Sequence, residues 1–393
     1  MLRLRLRYAQ PQIQKLASFW PIVGVVGLRQ VGKTTLLEQQ HSFASQRSLD
    51  DESVRSDANA SAKNFLASLS TPALIDEVQK APKLFDALKL QVHRERRPGR
   101  YFLTGSVSFS EGAGIRESLT GRIGLCHLHP LTLGEAAQVK QPSAPAFQFK
   151  KGQAPRLSPE VFSAAMTRGG MPVPMFMRDE AQRNLYWNGW LSTTLLRDLP
   201  KLFKKGFDPE FAYQTLEQLG AALREGELPT LKHFKVRSKR KLKTYLAAFE
   251  AVFVLRRLPC HDLGTGTEAW LFSDAGLAGY MMKTLSGEGV SLSLARHVFL
   301  NEISALKQYG ASQIFLPQYF KSQKGTPVDL VVDGVPIKIV PLSEAHRGPW
   351  GWHAKAALGA AKKLGAPMAV LAAPVNEVYR EKDHWIVPWS IWS

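Results

Sequence analysis

An α/β architecture built on a parallel sheet is what this sequence predicts, and three stretches predict it. Gly27-Leu28-Arg29-Gln30-Val31-Gly32-Lys33-Thr34 is a glycine loop that fits G-x-x-x-x-G-K-[ST] at every fixed position. Pro21–Val26 before it is apolar and short, as a buried strand should be, and Thr35–Gln40 after it reads as a helix. Ala73-Leu74-Ile75-Asp76-Glu77 is a second short apolar run, ending in two acids, and Arg100–Ser106 is a third strand-like run.

Each stretch brings a chemistry. In the loop, Gly27 and Gly32 let the backbone turn its N–H groups inward around phosphate oxygens, and the helix beginning near Thr35 adds its positive dipole end. Arg29, Gln30 and Val31 complete the cradle. Lys33 would reach the β- and γ-phosphates of ATP, and Thr34 would ligate Mg²⁺. Ligands of open α/β sheets sit at the carboxyl ends of the strands, where Asp76 and Glu77 fall. Asp76 would hold Mg²⁺ through water, and Glu77 would polarise the attacking water. Taken alone, the same five residues would also suit a strand followed by an acidic helix cap. Thr104 or Ser106, ending the third strand, would sense the γ-phosphate or position water, although Thr-Gly-Ser is also ordinary turn chemistry. Arg122, in Glu117-Ser-Leu-Thr-Gly-Arg122, is a candidate arginine finger, in cis or from a neighbouring subunit.

The order of these motifs resembles the prokaryotic AAA-type ATPases of the archaeal-type superfamily. The residues that carry the likeness are Arg29-Gln30, Leu49-Asp50-Asp51, Leu74–Gln79 with Pro82 and Leu84-Phe85, Leu103–Ser106, Ser118–Arg122 and Pro130–Leu133. Later segments extend it: Gly169–Pro172, Leu196-Arg197-Asp198, Lys243–Leu246 and Phe272–Leu277. The resemblance implies ATP binding and hydrolysis in an AAA-type P-loop domain, a winged-helix module, and a terminal nuclease-like domain. It implies three domains: 1–150, 151–286 and 287–393.

Composition sets further bounds. Cys126 and Cys260 are the two cysteines of 393 residues, which excludes a disulfide framework. No run of 18 apolar residues is present, so no membrane span is expected. Met1–Arg7 alternates basic and apolar residues, lacks the apolar core of a signal peptide and reads as a basic strand or arm; the cytoplasm is the expected compartment. A net charge of +18 speaks of partners, and the charge is concentrated. Lys232–Lys243 holds seven Lys or Arg and no acid.

That basic run sits where a helix-turn-helix places its second helix. Phe211, Leu216, Leu219 and Leu223 have helical spacing, Leu228–Leu231 makes a turn, and Ser238 would cap a helix that buries Leu242, Leu246, Phe249 and Val252. Val252–Leu258 and Glu268–Ser273 read as a hairpin. Helix, helix, hairpin is a winged-helix order. Lys235, Arg237, Lys239, Arg240, Lys241 and Lys243 would then face DNA phosphates; the other reading is a solvated helix face.

From residue 287 the pattern is mixed. A helix is expected over His297–Leu306, a strand over Gln313–Phe320, a hairpin over Thr326–Val332 and Val335–Val340, a helix over Trp352–Leu364 and a strand over Ala366–Leu371. The order resembles a restriction-endonuclease-like fold. Asp329 matches its first acid and Glu302 a helical carboxylate. Where the related pattern carries an acid and a lysine, this chain has Lys338 and Val340. A reversed charge at a metal-binding acid argues for a degenerate, inactive domain in which Lys338 pairs with an acid. The resulting expectation is an ATPase that couples nucleotide state to DNA. The alternatives are a nucleotide-switched protein-interaction module, self-associating or binding another protein, and an active ATP-dependent nuclease.

Overall fold

The computed structural model describes residues 5–109, 119–140, 147–203, 205–310, 317–323, 325, 327–341, 344 and 350–392. Two compact units result. The first comprises Arg7–His129 with Ala251–Phe253; the second is the rest of the described chain.

The first unit is a five-stranded sheet of β1 (Ile22–Val26), β2 (Ser45–Ser48), β3 (Ala73–Asp76), β4 (Tyr101–Gly105) and β5 (Ile123–His127). Their spatial order is β2-β3-β4-β1-β5 and every pairing is parallel. The central strands β1 and β4 are buried along their whole length, as strands covered on both faces must be. Helices Glu52–Ala60, Ala62–Ala67 and Lys83–Arg94 supply one layer, packing Phe65, Leu84, Phe85 and Leu88 with Ile75, Tyr101 and Leu103. Asp51, within the Leu49-Asp50-Asp51 segment, caps the first of these by accepting the Ser53 and Val54 N–H groups.

The first unit ends at His129 rather than near residue 150, and residues 151–286 and 287–393 share the second unit. Backbone bonding explains the early end. The Leu131 N–H donates to the Gly170 carbonyl (2.7 Å), and the Leu133 N–H donates to Glu302 (2.9 Å).

In the second unit, helix Pro209–Arg224 is followed by a 3₁₀ turn (Leu231–His233), helix Lys239–Ala251 and an antiparallel pair, β6 (Leu255–Leu258) with β7 (Ala269–Phe272). Ser238 caps the second helix, accepting the Lys241 N–H at 3.2 Å. Leu242, Leu246 and Phe249 are buried, as the helical spacing required, and so is Val252, just past the helix end. The first strand starts later than the sequence suggested because Phe253 turns through the left-handed region (φ 62°).

The remaining sheet has the order β12-β13-β11-β10-β9-β8. Its strands are β8 (Gln318–Phe320), β9 (Val328–Val332), β10 (Val335–Ile339), β11 (Ala369–Ala373), β12 (Tyr379–Glu381) and β13 (His384–Pro388). β9 and β10 form the expected hairpin, turned by Asp333 and Gly334, both at positive φ (51° and 78°). Helix Gly351–Leu364 crosses over to β11, which pairs parallel to β10. The start of the strand expected at Gln313 lies outside the described residues. The helix expected from His297 begins at Glu288 and runs to Gly310. Gly289, inside it, is needed for packing: a Cβ there would lie 2.4 Å from the Arg224 carbonyl oxygen.

His297 is wholly enclosed in that helix. Burial pushes its pKa down, to about 4, with Arg296 and Arg256 adding to the shift. A folded-state pKa below the unfolded value near 6.5 means that the stability it contributes is present above about pH 6.5 and is lost as pH falls through about 4. The second unit should therefore lose up to roughly 3 kcal/mol across that span. Tryptophan-monitored unfolding at several pH values checks this, since eight of the nine tryptophans lie beyond residue 186.

Candidate functional site

The glycine loop leaves the carboxyl end of β1 and enters helix Lys33–Gln40. Two of its glycines are required. Gly27 has φ 152°, and a Cβ there would lie 2.4 Å from the Leu128 carbonyl oxygen. Gly32 is left-handed at φ 98°, as is Gln30 at 63°. The buried Arg7 guanidinium holds the loop from behind, donating to the carbonyls of Val31 (3.0 Å) and His129 (2.6 Å). Lys33 folds over its own loop and donates to the carbonyls of Gly27 (3.1 Å) and Leu28 (2.9 Å). Thr35 is exposed in the first helical turn, Gln30 is exposed and Arg29 half-buried.

The acids meet the loop from β3. Thr34 and Thr104 both donate their hydroxyls to Asp76 Oδ1, and Ser48 donates to Oδ2 at 3.2 Å. Thr104 in turn accepts the Glu77 N–H at 3.1 Å. Glu77 sits in the left-handed region (φ 55°, ψ 46°), a conformation that costs a non-glycine residue about 1–2 kcal/mol. This kink separates adjacent acids: Asp76 faces the threonines, while Glu77 reaches towards the end of β4. There Ser106 Oγ donates to Glu77 Oε2 (2.8 Å), and Gln79 Nε2 donates to the same oxygen. A hydroxyl and a carboxylate are hard oxygen donors of the kind Mg²⁺ prefers, so the Thr34–Asp76 pair fits that ion.

Lys33, Thr34, Asp76, Glu77, Thr104 and Ser106 are thus gathered at one edge of the sheet. Arg122 is not. It precedes β5, whose Ile123 is level with Ile22 and whose His127 is level with Val26. The phosphate loop follows Val26, so the length of β5, roughly 16 Å, separates Arg122 from it. A cis arginine finger at Arg122 is therefore corrected: its guanidinium donates locally to the Thr120 carbonyl (3.1 Å), at the opposite sheet edge. Glu117 and Ser118 lie outside the described residues. Arg7, Ser48 and Gln79 drew no site role from the sequence, although Gln79 closes a segment that carries the family resemblance.

The basic segment is partly committed to structure. Lys239 Nζ donates to the carbonyls of Leu231 (2.7 Å) and Phe234 (3.1 Å), and Lys241 pairs with Asp208 at 2.8 Å. Lys235, Arg237, Arg240 and Lys243 are exposed. Arg240, Lys243 and Ala247 share one exposed face at helical spacing.

The terminal sheet carries a wholly buried charge cluster. Asp329 on β9 accepts Arg296 (2.6 Å), Lys338 on β10 (3.0 Å) and the Ile339 N–H (2.8 Å). Burial alone would raise the Asp329 pKa, but Lys338 and Arg296 outweigh it and hold the carboxyl at about 2. The Lys338–acid pairing expected from the sequence is present. Glu302 is elsewhere. It lies six residues after Arg296, about 240° around the helix, and accepts the Leu133 N–H instead. The expectation that Glu302 would join Asp329 as a second acid beside Lys338 is corrected accordingly.

Residues 20–137 match the family model described as an AAA domain. With the all-parallel sheet and the loop geometry, the match gives this region the α/β fold of a P-loop nucleotide-binding domain. Two curated relatives are the uncharacterized proteins Rv2008c of Mycobacterium tuberculosis and Mb2031c of Mycobacterium bovis. Each is 30% identical over 197 residues, or 50% of this chain and 40% of theirs. The chain thus spans well under half the length of the curated relatives it matches. Among solved structures, the Walker-type ATPase PABY2304 of Pyrococcus abyssi is similar over 72% of this chain and 99% of its own, with 13% identity and a TM-score of 0.41. The AMPPCP-bound DnaA of Aquifex aeolicus is similar over 62% of this chain and 85% of its own, with 13% identity and a TM-score of 0.29. No helix among the described residues is long and apolar enough to cross a membrane.

Proposed function

We propose that this protein binds ATP with Mg²⁺ and hydrolyses it, and that nucleotide state governs its association with DNA. The observation that carries the first half is the convergence of Lys33, Thr34, Asp76 and Glu77 at the carboxyl edge of one parallel sheet. Lys33 Nζ now rests on two carbonyls of its own loop; a phosphate oxygen would replace those acceptors with a charged one, a stronger partner. Mg²⁺, held by Thr34 and Asp76, would neutralise charge on the phosphates. Glu77 would take a proton from water as the water oxygen bonds to the γ-phosphorus. The bond from that phosphorus to the β–γ bridging oxygen breaks, leaving ADP and inorganic phosphate. Thr104 holds Asp76 and the Glu77 backbone together and would keep both in place. Arg122 would enter this chemistry only from a second copy of the chain. Release of phosphate from ATP by the purified protein, with Mg²⁺ and without it, tests the reading; no release above background would refute it.

The DNA half rests on the helix pair and hairpin of residues 209–272, which support a winged-helix reading, and on the exposed Arg240 and Lys243 of the second helix. Lys239 and Lys241 already have internal partners, so the phosphate-binding set is Lys235, Arg237, Arg240 and Lys243. Four phosphate contacts predict an affinity for duplex DNA that falls about 100-fold between 50 and 200 mM salt. Arg240→Glu with Lys243→Glu should weaken binding and flatten that slope by about two contacts. Fluorescence anisotropy of labelled duplexes reads both. A flat salt response would favour a protein partner for this face. The terminal sheet, with Lys338 bonded to Asp329, supports a nuclease-like fold without nuclease chemistry; metal-dependent plasmid cutting lost in Asp329→Ala would overturn that.

A further inference from the structure

We infer that Gln79 and Ser106 are positioning residues that fix the carboxylate of Glu77 for water activation; the inference rests on the base role proposed for Glu77. Ser106 Oγ donates to Glu77 Oε2 at 2.8 Å, Gln79 Nε2 donates to the same oxygen, and Gln79 Nε2 also lies 3.2 Å from Ser106 Oγ. Three side chains from two chain segments thus close a triangle on one carboxylate oxygen.

The choice of oxygen matters. A carboxylate rotates freely about its last bond unless something grips it, and each oxygen can accept about two hydrogen bonds. Two donors on Oε2 satisfy that oxygen and stop the rotation. Oε1 is left as the basic oxygen, facing one direction. A water held by a fixed acceptor is oriented before the reaction, which is where positioning contributes most.

The surroundings specify the grip. Gln79 follows the left-handed Glu77 by two residues, in the 3₁₀ turn Val78–Lys80, so the kink that throws Glu77 towards β4 also carries Gln79 back over it. Gly105 leaves room: a Cβ there would lie 3.0 Å from Gln79 Oε1 and 2.6 Å from the Phe109 ring. Gln79 Oε1 is buried with no donor among the described residues. The amide is held through its nitrogen, and the reversed orientation would set its oxygen against a carboxylate. An aliphatic side chain there would offer Glu77 no donor, so the amide nitrogen is what this position contributes.

The role differs from that of Thr104, which bonds Asp76 and the Glu77 backbone and therefore fixes the chain rather than the carboxylate. It also differs from a contact with nucleotide, since both donors are spent on Glu77.

The test is steady-state ATP hydrolysis by the full chain, with nucleotide affinity measured separately, for Ser106→Ala, Gln79→Ala, the double variant, Ser106→Thr, Gln79→Glu and Glu77→Gln. We expect kcat to fall roughly 10- to 100-fold in each alanine variant while ATP affinity and KM hold within about twofold. The double variant should lose less than the product of the two losses, because the three groups act as one unit. Ser106→Thr, which keeps a hydroxyl, should recover most of the turnover. In Gln79→Glu the new carboxyl donates only when protonated, so turnover should decline towards alkaline pH where the wild type's does not. A packing role would leave that profile unmoved. Unchanged or increased kcat in both alanine variants, with Glu77→Gln inactive, would overturn the inference and leave the base role standing. Full activity in Glu77→Gln would overturn the base role and the inference together.

Discussion

Asp329→Ala should destabilise the second unit by about 3–5 kcal/mol at pH 7, the scale for leaving a buried charge unpaired. The case is strong because two cations lose their partner at once. Arg296 and Lys338 have side chains 2% and 3% exposed, and Asp329 is fully enclosed. Among the described residues, the hydrogen-bond acceptors left are the Pro327 carbonyl for Lys338 (3.0 Å), whose Nζ also lies 5.9 Å from the centre of the Trp352 ring, and the Gly226 carbonyl for Arg296 (3.2 Å). Neither neutralises a charge. Replacing Lys338 by methionine in the same chain should recover part of the loss, since one of the two stranded charges is then gone. Denaturant titration followed by tryptophan fluorescence measures both variants. A loss below about 1 kcal/mol for Asp329→Ala would mean that water reaches the cluster and that the domain is looser than its packing indicates.

Glu77→Gln should reduce ATP turnover by roughly 10²–10⁴-fold while leaving nucleotide affinity nearly unchanged, because the amide keeps the shape and loses the base. The two acids separate cleanly in this respect. Asp76 is tied to Thr34, so substituting it should disturb binding of Mg²⁺ and nucleotide together. Glu77 is tied to the end of β4, away from the loop, so its loss should be felt in kcat. Single-turnover hydrolysis beside equilibrium binding distinguishes the two. Equal loss of affinity in Asp76→Asn and Glu77→Gln would contradict the division of roles.

What the sequence made legible was local. The phosphate loop could be read because its spacing, its glycines and its flanking strand and helix are all within 20 residues of one another. Ser238 could be read because a cap and the apolar face it precedes are adjacent in sequence. The hairpin of Thr326–Val332 and Val335–Val340 was legible for the same reason. What escaped was set by tertiary pairing. Arg296 meets Asp329 across 33 residues, and an arginine inside an apolar helix carries no periodic signal of its partner. Arg122 was a candidate finger from its motif alone; only the parallel register of β5 beside β1 showed it to be at the wrong end of the sheet for a finger in cis. Lys239 and Lys241 were read with the other basic residues, though carbonyls and Asp208 take up their charge. Ser48, outside any motif, and Arg7, which read as part of a basic arm, showed no site role, because each acts through a bond to a distant segment.

The most direct test of the account is a calorimetric titration of ATP with Mg²⁺ into the wild-type chain and into Lys33→Ala. The loop geometry predicts saturable binding by the wild type. It predicts a weakening of roughly 1–3 kcal/mol or more in the variant, the range for a lost charge-assisted hydrogen bond. Absence of binding by the wild type, or the same affinity in both chains, would contradict it.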